Sequence, residues 1–151
     1  MSEYRQTTTR FKDEECLVNA LVESGYRRDQ IEVHKEAQQL IDYVGRPTRY
    51  LDKNGDKANI IVRRQNIGYG SANDLGFKWN AATGTYDALV SDYDSGTTHW
   101  GQNSLRFKKL KVDYTEQVGI KTAKKNGFKF LGKKIVNGKV QLQWMDTRVT
   151  K

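Results

Sequence analysis

One cysteine, one proline and two histidines in 151 residues leave several chemistries without raw material. With Cys16 alone there is no internal disulfide and no cysteine-rich zinc site, a usage that suits a reducing compartment. His34 and His99 are isolated, without a second His, Cys or carboxylate at a recognisable ligand spacing, so no metal is expected. No apolar run approaches the roughly 18 residues of a membrane span, and Met1–Gln6 has no apolar core of a secretory signal. A soluble, cytoplasmic protein without membrane attachment is the expectation. Apolar residues are also scarce, at 36%. Three Trp, five Phe and eight Tyr compensate, because each aromatic buries a large area, so a modest core is expected. The length fits a single domain over 1–151.

Familiar catalytic constellations are missing too. There is no Gly-x-Ser-x-Gly elbow, and Cys16 lies mid-helix with no spacing that ties it to either histidine. Gly127–Lys134 nearly spells a phosphate-binding loop, but Lys134 stands where a Ser or Thr must hold magnesium. The expected order, helix before and strand after, is also the reverse of what that loop needs. The same stretch partly matches the aromatic strand of RNA-recognition domains, with Gly127, Phe128, Phe130 and Leu131 right in type. Lys129 and Lys133 replace its small and aromatic positions, and burial against a helix accounts for the phenylalanines. Asp92-Tyr93-Asp94-Ser95-Gly96 resembles a calcium loop with its glycine one position early and Asn103 in place of the bidentate Glu. Asp92, Asp94, His99 and Trp100 remain a candidate ligand loop. No catalytic residue and no cofactor is assigned, and the chain reads as leaning away from an enzyme.

What the chain does have is segregated charge. Arg106–Lys139 holds eleven Lys and Arg against two acids, Asp113 and Glu116, which is +9 in a chain whose total is +8. A concentrated positive field selects anionic partners, whereas dispersed charge mainly confers solubility. Lys121, Lys124 and Lys125 fall at i, i+3 and i+4 on one helix face. Arg106, Lys108, Lys109 and Lys111 precede them, and Lys134 and Lys139 point outward from the following hairpin. These nine residues form the candidate anion or nucleic-acid surface. The bland alternative is a solvated face balanced by acids such as Glu14, Glu15 and Glu23.

The element pattern begins with a Thr-rich strand over residues 3–11. Asp13 caps a helix through Glu23 that stops at Gly25. A strand follows over 31–40, then a hairpin about Asn54-Gly55 between 49–53 and 56–64. Phe77 and Trp79 share a face of a strand that returns at Tyr86–Val90. Leu105–Val112 reads as a strand or an irregular lead-in to a helix over 114–126, closed by Gly127. A last hairpin turns at Asn137-Gly138, with Leu131, Ile135, Val140, Leu142 and Trp144 on one face. Lys133 falls among them as a misfit. The expected fold is α+β, a largely antiparallel sheet made of hairpins with two helices packed on one face.

At Asp74-Leu75-Gly76-Phe77-Lys78-Trp79-Asn80, followed by Tyr86 and Asp92, the chain resembles the conserved-hypothetical cyanobacterial and plastid family called hypothetical chloroplast reading frame thirty-five. Tyr4, the helix ending at Gly25-Tyr26, the strand Ala58–Val62, the late helix to Gly127-Phe128 and the closing Val140–Trp144 extend the match along most of the chain. Two departures stand out. Glu3 and Tyr114-Thr115-Glu116-Gln117 replace histidine-bearing positions of that family, so no acid–base or metal role transfers. The resemblance implies a small α+β protein of photosynthetic lineages or their viruses, placed in the cytoplasm, the plastid stroma or an infected cell. It supplies no activity. The functional expectation is a non-catalytic module that contacts nucleic acid or another polyanion. The alternatives are a protein-interaction or assembly subunit using hairpin edges and aromatics such as Tyr69, Tyr93 and Trp100, and a small-ligand binder or enzyme of unrecognised type using the loop 92–102.

Overall fold

A computed structural model describes residues 4–68, 72–91, 100 and 104–146. In chain order the elements are β1 (Tyr4–Thr8), α1 (Glu14–Glu23), β2 (Ile31–Gln39), β3 (Lys57–Val62), β4 (Leu75–Asn80), β5 (Thr85–Ser91), α2 (Leu105–Lys125), β6 (Phe128–Val136) and β7 (Lys139–Asp146). The first five strands form one antiparallel sheet in the order β1-β5-β4-β3-β2, and β6-β7 forms a separate two-stranded ribbon. This is the expected α+β class, with the closing hairpin detached from the main sheet.

Both helices cover the same sheet face. Leu17, Ala20 and Leu21 of α1 and Phe107, Leu110 and Tyr114 of α2 share one cluster with Ile60, Val62, Phe77 and Ala88. Alternation sends Ile61 to the other face, where it joins Tyr4, Leu40, Ala58 and Leu89. β3, next to the sheet edge, is therefore buried on both sides, more deeply than its own pattern suggested.

Local chemistry sets the helix ends. The Asp13 side chain accepts from the Cys16 amide at 2.9 Å, and Glu14 and Glu15 occupy the positive end of the dipole. At the other end Gly25, with φ +111°, lets its amide reach Val22 O and the Tyr26 amide reach Leu21 O, the paired bonds of a Schellman stop. Tyr114 ties the helices together, its hydroxyl accepting from the amides of Lys12 and Asp13 at 2.8 and 3.0 Å.

Three expectations are corrected. Leu105–Val112 is neither strand nor lead-in but the first half of α2. Ser104 caps it by accepting from the Phe107 amide at 3.1 Å, and Phe107, Leu110 and Tyr114 recur at helical spacing toward the core. Asn54-Gly55 does not join two strands. The partner of β3 is β2, and the intervening loop is organised by the buried Asp56 carboxylate, which accepts from the amides of Tyr50, Leu51 and Asp52. Side-chain capping of a loop outcompetes a strand there, because three satisfied amides in one place need no ladder. The first strand ends at Thr8 because the Thr9 hydroxyl turns inward, donating to Tyr86 O and accepting from the Phe11 amide.

Candidate polyanion interface

The β6–β7 ribbon is built on a two-residue turn. Asn137 and Gly138 have φ +51° and +75°, the pair of positive values that a type I′ turn requires and that Asn-Gly tolerates. Pairing runs from Val136–Lys139 and Ile135–Val140 to Lys133–Leu142 and Gly132–Gln143. One residue is then skipped before Phe130–Trp144 and Lys129–Met145. The skipped residue is Leu131, beside Gly132 at φ +140°. This bulge reverses the alternation, so Lys129 faces the same way as Lys134 although the two are an odd number of positions apart in the strand.

The two faces of the ribbon differ in chemistry. Leu142 reaches to within 3.6 Å of where a Gly119 side chain would begin, and Lys133 pairs with Glu116, so that face lies on α2. The bond to Glu116 lifts the Lys133 ammonium above its ordinary range and explains the misfit of Lys133 in the apolar row. The opposite face carries Lys129, Lys134, Val136, Lys139, Gln141, Gln143 and Met145, all exposed except half-buried Val136. It has no acid. Lys134 and Lys139 are diagonal neighbours, close enough to act on one anion. Among the described residues none of the three lysines has an ion-pair or hydrogen-bond partner.

The other basic candidates divide by what they touch. Arg106 belongs to the core edge: its guanidinium sits 4.9 Å from the Trp100 ring centroid and 5.5 Å from that of Tyr26. It donates to the Tyr26 hydroxyl at 2.8 Å and to Ile67 O at 3.2 Å. The Trp100 indole donates to that same hydroxyl, and burial pushes the Tyr26 phenol pKa up. Lys109 is held by Asp113 and by Glu23 O, and Lys111 lies 5.1 Å over the Phe107 ring. Lys121 bonds Asp13 at 2.7 Å and lies 3.4 Å from Glu15, clamping the start of α1; the Asp13 bond raises its pKa. Lys108, Lys124 and Lys125 are exposed and unpaired among the described residues. Sixteen residues at about 100° each put Lys108 and Lys124 about 160° apart around α2, so the helix does not gather them. The structure thus brings together Lys134 and Lys139 and adds Lys129, which the sequence reading missed. Gly132 inside a strand pattern was the signal that could have revealed the bulge.

The candidate ligand loop loses one member. Trp100 is 1% exposed and packs 6.1 Å from Tyr26, as core. Asp92, Asp94 and His99 lie outside the described residues, as do Tyr69 and Tyr93. His34 bonds Glu32 at 2.7 Å, and among the described residues no cluster of three or more His, Cys, Asp or Glu could hold a metal. An open groove of about 520 Å³ runs past Gln39, Arg63, Arg64 and Asp74. Its charges are largely spent internally: Arg63 donates to both Glu32 oxygens, to Asp74 and to Gln39 O. No helix among the described residues is long and apolar enough to cross a membrane.

Fold and surface together define a class, small α+β proteins in which a helix carries a projecting basic β-ribbon. Residues 27–142 match the family model described as Protein of unknown function (DUF1257), and the chain belongs to that family. The match runs from just before β2 to the middle of β7, so it spans four of the five sheet strands, all of β6 and the first half of β7. No curated protein and no solved structure matches the chain.

Proposed function

We propose that this protein is a non-catalytic binding module that presents the outer face of β6–β7 to nucleic acid or another polyanion. The observation that carries this reading is the acid-free face on which Lys129, Lys134 and Lys139 stand exposed and, among the described residues, unpaired. Lysines with a structural task on this chain are paired, as Lys109, Lys121 and Lys133 are. Three phosphate contacts release counterions with a log–log salt slope of about −2.7. Binding should then weaken about 40-fold between 50 and 200 mM salt. Filter binding or anisotropy tests this: Lys129→Gln/Lys134→Gln/Lys139→Gln should remove most of the slope, while Lys121→Gln, already paired, should leave it unchanged. Failure to retain DNA, RNA or heparin even at 50 mM salt would refute the proposal.

Within the family, the Gly76–Asn80 cluster and the closing Val140–Trp144 support placement in the branch called hypothetical chloroplast reading frame thirty-five. A cytoplasmic or stromal setting, or a viral carrier, follows from that placement. Imaging the tagged chain in a photosynthetic host checks the compartment, and a membrane or secreted signal would count against it.

One observation favours a second reading, a protein contact. Ile135 is 75% exposed, Val140 51% and Val112 56%, although all are large and apolar. Capture from a native cell should then yield a stoichiometric protein resistant to nuclease. Repeated recovery of none removes this reading.

A further inference from the structure

Resting on the polyanion reading, we infer that the polyanion is duplex DNA and that the β6–β7 ribbon enters its major groove. Gln141 and Gln143 then meet base edges, and Lys129, Lys134 and Lys139 meet the flanking phosphates. The first argument is shape. A B-form major groove is about 12 Å wide and admits a two-stranded ribbon, whose strands lie about 4.8 Å apart. The ribbon is free to enter, because its tip projects past α2: Ile135 and Val140, on the helix-facing side, are 75% and 51% exposed.

The second argument is side-chain chemistry. A single strand is held by aromatic stacking platforms, and the outer face has no aromatic residue. It offers instead two adjacent primary amides, each able to donate to and accept from adenine in the major groove. Gln143 stands opposite Gly132, which has no side chain to screen it, and Gln141 stands opposite Lys134. Duplex RNA is the poorer fit, since its major groove is too deep and narrow for side chains to read.

The test uses the full chain and fluorescence anisotropy at low salt. A DNA duplex, an RNA duplex of the same sequence, a single DNA strand and heparin are compared. The DNA duplex should bind at least tenfold more tightly than the others. A major-groove dye such as methyl green should displace the protein, and a minor-groove ligand such as distamycin should not. Selection from a random duplex pool should enrich adenine-containing sites. On an enriched site Gln141→Ala/Gln143→Ala, which removes two amide–adenine pairs, should lose at least about 30-fold in affinity at unchanged salt slope. Gln143→Glu, which brings an acid against the groove, should lose more. Both positions are exposed, and a melting temperature matching the parent confirms that each variant is folded. Equal binding to all four polyanions, or displacement by distamycin, overturns the groove assignment and leaves polyanion binding intact. Absence of binding to any of the four removes both.

Discussion

Asp74→Asn is the substitution that probes the sheet's charged clamp most directly. The Asp74 side chain is 0% exposed and yet ionic. It accepts from the Ile41 amide at 2.7 Å, the Arg64 amide at 2.8 Å and the Arg63 guanidinium at 2.8 Å. Through these bonds it fastens the end of β2 and the turn after β3 to the start of β4. Asparagine keeps the shape but puts an amide donor against one of these donors and removes the charge facing Arg63. Breaking a buried pair by deleting one partner costs about 3–5 kcal/mol. Arg63 retains Glu32 and Gln39 O, which places the expected loss near the lower end, about 3 kcal/mol. For a domain of this size that is a fall of about 6–12 °C in Tm. Urea unfolding followed by tryptophan fluorescence and by circular dichroism measures it, with an unchanged m-value showing that the same surface still unfolds. Lys121→Gln is the control, since a solvent-screened surface pair contributes little. A loss below about 1 kcal/mol for Asp74→Asn would refute the claim that this network holds the sheet edge together.

Three further outcomes follow from the structure. Gly76→Ala should destabilise by about 1–3 kcal/mol, because the new Cβ would meet Ala58 Cβ at 2.8 Å and Leu40 at 3.0 Å; an unchanged melting temperature would contradict that crowding. Burial pushes the Cys16 thiol up to about 11 from its ordinary 9.0, so native protein should resist iodoacetamide at pH 8. The raised value favours the fold fully below pH 9.0, and this contribution should fade as pH rises toward 11. A Cys16→Ala variant showing the same alkaline loss would sink that assignment. The Arg63 bond holds the Glu32 carboxyl below its ordinary 4.5, so its contribution is complete above that pH and is lost as pH falls through the lower folded value. Urea midpoints between pH 3 and 6 should fall less steeply in Glu32→Gln, and parallel curves would exclude the effect.

Much of this protein could be read from order alone. Asp13, Gly25 and the turn Asn137-Gly138 act within four residues of themselves, so their cap, stop and I′ turn follow from local chemistry and survived unchanged. The Gly-Phe-x-Trp-Asn strand and its return were equally local in pattern. The opening half of α2 was harder, because Leu105–Val112 is lysine-rich and its period shows only through three core residues. Asn54-Gly55 misled because the neighbouring acid, Asp56, turns its carboxylate back onto the amides of Tyr50, Leu51 and Asp52.

Charge divided in the same way. Residue order alone sets how many lysines lie between Arg106 and Lys139, that acids there are few, and that Cys16, His34 and His99 have no recognisable ligand spacing. Which of these cations are spoken for emerges on folding. Arg106 lies against Tyr26 and Trp100, Lys121 against Asp13, and Lys133 against Glu116, partners that are distant in the chain or across a turn. Lys129 joins Lys134 and Lys139 because one bulged residue reverses the strand's alternation. Pairing and bulges depend on what lies opposite, and that is a property of the folded chain.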